Sequence, residues 1–143
     1  MERNAPFFTF AEQTFLTLRE GLGEDRALAF LRAIFARGLG AAYDRAGFQR
    51  GSTQDFARVV GERDGALGLA VSFPVVTPDK LVYRFHTDPF PGLRGQVAPE
   101  RLDATYLPFK VQHLLEPGWT WETTRHLWRG DPCTEHVLQR MRA

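Results

Sequence analysis

The apolar residues of this chain change their spacing between Arg63 and Leu67, and that change restricts the fold more than any other feature. Before it, Leu28, Phe30, Leu31, Ile34, Phe35, Leu39 and Tyr43 form a broad stripe at helical spacing. After it, residues 67–76 and the stretch LVYRFH read as extended segments, joined by the turn-forming Thr77-Pro78-Asp79-Lys80. A chain built this way begins as helices and continues as a hairpin.

Three helices are expected in the first part. Thr9 followed by Glu12 reads as a capping box, with Phe8, Phe15, Leu18 and Leu22 giving an amphipathic helix that ends at Gly21 to Gly23. Glu24 and Asp25 suit the positive end of a second helix. Gly38 and Gly40 cost that helix about 1 kcal/mol each relative to alanine. The helix therefore either breaks there or packs closely against another element. Ser52 and Asp55 open a third helix reaching Gly61 or Arg63.

Pro74 inside the first extended segment marks an edge strand or a bulge. The loop DPFPGLRG precedes a helix that starts at Pro99-Glu100-Arg101 and is kinked or divided by Pro108. WTWETTRHLW and CTEHVLQRM then form a second hairpin around a tight turn at 129–132. The predicted fold is α+β: N-terminal helices, then β-hairpin, helix and β-hairpin, forming an antiparallel sheet covered on one face by helices. Residues 1–143 suffice for a single domain, and no linker or repeat divides them.

A net charge of +1 leaves no field of one sign for nucleic acid or an acidic membrane surface. The longest weakly polar run, 67–76, is about half of what a transmembrane helix requires. The N-terminal stretch lacks the apolar core of a signal peptide, and one cysteine allows no internal disulfide, so the cytoplasm is the expected compartment. Sixteen of the eighteen basic residues are Arg, a skew that reads as coding bias in a GC-rich, bacterial genome. RGLGAAY is no phosphate loop, because the GxxxxGK[ST] pattern is absent.

Several residues could carry chemistry. Cys133 is either a small buried hydrophobe or a thiol activated by Arg129 or His136. A three-residue loop at 130–132 pairs His126 with His136, a plausible zinc or iron site, whereas a two-residue loop pairs His126 with Glu135. No HxH, HExxH or CxxC spacing supports a metal, and none is assigned. His86, at the mouth of the proline-rich loop, suits a general base oriented by Asp88 or Asp103; alternatively it points outward and Asp88 only begins a turn. Trp119, Trp121 and Trp128 can line a pocket with Tyr83 and Tyr106, or fill the core. Arg84 and Arg125 either face solvent or hold an anion.

Tyr83-Arg84-Phe85-His86, Leu102-Asp103, Glu122-Thr123-Thr124-Arg125 and the run from Gly130 to Val137 carry a resemblance. Over about its last half the chain is similar to bacterial L-2-amino-thiazoline-4-carboxylic acid hydrolases, within the wider 4-vinyl reductase-like small-molecule-binding domains. The resemblance implies a hydrolytic pocket for a small heterocyclic or carboxylate-bearing substrate, with His86, Asp103 and Cys133 as catalytic residues. Tyr83, Arg84, Tyr106, Trp121, Arg125 and His136 are then its ligand contacts. Where that family commonly places Cys-Pro after the second hairpin strand, this chain has His86-Thr87-Asp88-Pro89, without a thiol. That departure favours a non-catalytic ligand-binding or sensory module over an enzyme. A dimeric regulatory or structural subunit, with a homodimer formed through an exposed aromatic face, is the third reading. No cofactor is indicated.

Overall fold

The computed structural model describes residues 4–141. Asn4 starts the first helix: its side chain accepts the Phe7 amide hydrogen, and Pro6 sits in the first turn, where a missing N–H costs nothing. Helix α1, Ala5–Leu22, thus begins before Thr9 and Glu12, and the capping box expected there does not form. Both residues lie inside the helix. Glu12 is buried instead and accepts the Gly92 amide hydrogen at 2.6 Å, tying the proline-rich loop to α1.

Helix α2, Glu24–Ala46, runs unbroken through both glycines. At Gly40 close packing is the reason, since a Cβ would lie 3.2 Å from the Phe109 ring. Helix α3, Thr53–Ala66, is capped by Ser52, whose hydroxyl accepts the Asp55 amide hydrogen, and it extends one turn beyond its expected end. Leu67 and Gly68 therefore belong to the exit from that helix. The first strand begins later than the run of apolar residues suggests: β1 is Val71–Thr77 and β2 is Lys80–Phe85. Pro108 divides the next helical stretch into α4, Pro99–Asp103, and α5, Leu107–Leu114, and stands in the first turn of α5. Strands β3, Trp119–Arg125, and β4, Thr134–Arg140, complete the chain.

The sheet is antiparallel with order β1-β2-β4-β3. Pro74 lies on an edge strand, within a register shift between Ser72 and Val75, as its missing amide hydrogen demands. On the inner face Leu81, Tyr83 and Phe85 stand beside Leu138, His136 and Thr134, and all six are buried. The fold is α+β, with the helices first and the hairpins after them. Among the described residues no helix is long and apolar enough to cross a membrane.

The last connection corrects the expected tight turn. β3 carries a bulge between Thr123 and Arg125, so Thr123 faces His136, Arg125 faces Glu135, and His126 pairs with neither His136 nor Glu135. The cause is local. The Asp131 carboxylate accepts the His126 amide hydrogen at 2.8 Å, and the His126 ring accepts the Trp128 amide hydrogen at 3.0 Å. Those bonds turn 127–129 into a short 3-10 helix and take His126 out of the ladder.

Candidate functional site

Helical spacing explains how charged residues come to line the interior. Lys110 shares a stripe with Leu107, Val111 and Leu114, and Asp64 follows Phe56 and Val60 at four-residue intervals. Packing those apolar neighbours against the sheet carries both charged side chains inward, to 3% exposure for Lys110 and 2% for Asp64.

There they form the floor of a cavity of about 250 Å³ between α1, α2 and the proline-rich loop. Phe8, Leu31, Phe35, Leu39, Leu69 and Phe90 make its apolar wall, and Arg63, Asp64, Tyr106 and Lys110 its polar end. Phe7, Phe10 and Ile34 line it while remaining exposed, which places the mouth on the α1–α2 side.

At the floor the Tyr83 hydroxyl donates to Asp64 and accepts from Lys110 Nζ at 2.9 Å. Lys110 also lies 3.5 Å from the second Asp64 oxygen. The rings of Tyr83, Phe85 and Tyr106 stand 5.1 to 5.7 Å from the ammonium and shield it from water. Burial pushes the Lys110 pKa below the usual lysine range, and Asp64 opposes this only in part. The Tyr83 and Tyr106 phenols are pushed well up, by burial first and by nearby carboxylates second. Two buried donors have no hydrogen-bond partner among the described residues: Arg63 Nε, on a residue that lines the cavity, and the Tyr43 hydroxyl, on one that does not. The Tyr43 phenol is raised by burial first and by the charge of Asp64 second.

A second polar chain runs behind this floor. The His126 ring donates through Nε2 to Asp103 at 3.2 Å, since its other nitrogen accepts from Trp128. The Tyr106 hydroxyl donates to Asp103 at 3.2 Å and lies 3.3 Å from His136 Nε2. Thr123 completes the chain 2.9 Å from His136 Nδ1. A neutral His136, donating through Nε2 and accepting at Nδ1, satisfies every member. Burial accordingly holds its pKa down to about 4, against the pull of Asp103.

The residues singled out from sequence separate into two groups. Tyr83, Asp103, Tyr106 and His136 come together at or behind the cavity floor. Of the others, Asp88 and Trp128 line a small pocket with Asp103 and Tyr106, and the rest make separate contacts. His86 is exposed and hydrogen-bonded to Ser72 at 2.8 Å, so neither Asp88 nor Asp103 orients it. Asp88 accepts from the Phe90 amide and the Trp128 indole and shapes the loop. Cys133 is buried ahead of β4 and makes no hydrogen bond to His136, whose two ring nitrogens are already occupied. Arg84 pairs with Glu135 on the outer face of the sheet, and the exposed Arg125 stands opposite the same carboxylate. Trp119 is buried, but Trp121 on the edge strand is 40% exposed. Among the described residues no three His, Cys, Asp or Glu side chains are placed to hold a metal ion.

Asp64, Lys110, Arg63 and Tyr43 were not candidates from sequence. A signal existed for two of them, a charge standing on an otherwise apolar helical stripe. No protein-family model matches the chain, and neither does any curated protein or solved structure.

Proposed function

We propose that this chain is a small-molecule-binding domain whose ligand has an apolar body and one hydrogen-bond-accepting head. The observation that carries this reading is the cavity itself, an apolar chamber that ends in buried donors. Its volume exceeds the roughly 150 Å³ of a dry cavity that accepts benzene, so it has room for one or two fused rings or a short alkyl chain. Arg63 Nε and Lys110 suit a carboxylate or carbonyl oxygen, whereas an all-apolar ligand would leave Arg63 Nε without a partner. The hydrolase reading that the family resemblance implies has less support, because among the described residues no hydrogen bond joins His86, Asp103 and Cys133: His86 bonds Ser72, and Asp103 bonds His126 and Tyr106.

The test uses 2-naphthoate, which has an apolar bicyclic body and an anionic head. Saturable one-site binding is expected by calorimetry. Gly38 lines the cavity, and a Cβ added there meets nothing within 4 Å. Gly38→Leu should therefore obstruct the chamber and weaken binding at least tenfold, while stabilising α2 by about 1 kcal/mol through helix propensity. Full affinity in a folded Gly38→Leu protein would remove the cavity as the site.

The exposed Phe10 and Ile34 at the mouth favour a second reading, a homodimer joined through this rim. Sedimentation velocity decides it: a concentration-dependent dimer that Phe10→Ser disrupts supports the rim contact, and a monomer at all concentrations dismisses it.

A further inference from the structure

We propose that Lys110 captures carbonyl compounds in this cavity as imines, so that the preferred ligand is an apolar aldehyde or ketone. The inference rests on the binding reading above and adds the chemical class of the head group.

Three observations support it. Lys110, 3% exposed, lines a mostly apolar chamber together with Arg63, Asp64 and Tyr106, and is there one of the few polar groups that a ligand's head could meet. Rings on three sides keep water from hydrolysing an adduct. Finally, the chain has Lys only at positions 80 and 110, against sixteen Arg. A purely electrostatic partner for Asp64 could be arginine, which most basic positions in this chain hold. Arginine stays protonated and forms no imine; a desolvated lysine amine does. The ammonium's bond to Asp64 is long, at 3.5 Å, and that carboxylate also accepts from Tyr83, so the ion pair is loosely held.

The chemistry closes without a further reactant. Asp64 takes one proton from the ammonium. The freed lone pair forms the C–N bond as the carbonyl π pair moves to oxygen, a charge that the cation of Arg63, which lines the same cavity, would stabilise. The oxygen then leaves as water with the two remaining amine protons, and the C=N bond forms. Nothing is oxidised or reduced.

The experiment treats the full chain with 2-naphthaldehyde and sodium cyanoborohydride, which adds hydride to any imine and fixes it as a secondary amine. Intact mass and peptide mapping then locate the label. The expected result is one naphthylmethyl group on Lys110, acquired at least an order of magnitude faster than on Lys80 or the α-amino group. Excess 2-naphthoate should compete, and both Lys110→Arg and Gly38→Leu should abolish the fast label. If 2-naphthoate binds but Lys110 is labelled no faster than Lys80, imine capture is overturned and the binding reading stands. If neither compound enters the cavity, both fall together.

Discussion

Asp64→Asn is expected to destabilise the protein by about 3 kcal/mol at neutral pH, because it leaves the buried Lys110 ammonium without its counter-charge. Asparagine keeps the size of the side chain and an oxygen for the Tyr83 hydroxyl, so the loss isolates the charge. Its pH dependence separates this cause from simple repacking. Lys110 already has a lowered pKa in the folded protein, and the substitution lowers it further. Between that lowered value and the ordinary lysine value, the unfolded chain binds more protons than the folded one, so stability rises with pH. The deficit relative to the parent should therefore shrink as pH climbs toward the parent's own lowered Lys110 value, above which both folded proteins hold the neutral amine. Urea denaturation of both proteins between pH 7 and pH 9.5 measures it. A deficit that stays constant across that range would mean that packing, not an unpaired ammonium, causes the loss.

The second large effect is acid sensitivity through His136. Its folded pKa is about 4 and its ordinary value 6.5, a difference worth about 3 kcal/mol. Because the folded value is depressed, the neutral ring's contribution is complete above pH 6.5 and is lost as pH falls from 6.5 toward 4. Protonation would place a second proton on Nδ1, facing Thr123, and a charge among Tyr83, Phe85 and Tyr106. Glu135, held below the usual carboxylate range by Thr124 and then Arg84, adds its own loss at lower pH. The difference between the parent and His136→Gln removes that background. The urea midpoint of the parent should fall more steeply than that of the variant between pH 6.5 and 4.5. Parallel curves would show that His136 is not the group titrating.

Much of the fold was legible because it depends on neighbours in sequence. The helical stripe of α2, the turn at Pro78-Asp79 and the division at Pro108 each follow from local rules of spacing and backbone geometry. Errors arose where two local signals competed. Thr9 and Glu12 resemble a cap, yet Asn4 and Pro6 supply one earlier, and the helix begun there holds Phe8 and Phe15 buried. At 126–133 the turn residues could have closed a tight hairpin, but Asp131 and the His126 ring satisfy backbone donors in another way.

The candidate site was legible only in part. Tyr83, Tyr106, Asp103 and His136 were identifiable as polar groups on elements that face the core, whereas His86 fell one residue beyond β2, on the outward side. Lys110 and Asp64 lie forty-six positions apart on different helices, and nothing in their local sequence requires them to meet.

The sequence by itself determined the class of this fold, the succession of helices and hairpins, and part of the stripe that α2 turns inward, Leu28, Leu31 and Tyr43 but not Phe30 or Ile34, because hydrophobic spacing acts over one or two turns of chain. Tertiary structure alone decided that α1 and α2 leave a chamber above the sheet and that its floor holds a buried lysine beside an aspartate. Those facts depend on how distant surfaces fit together, and the shape of a packed interior is a property of all its walls at once.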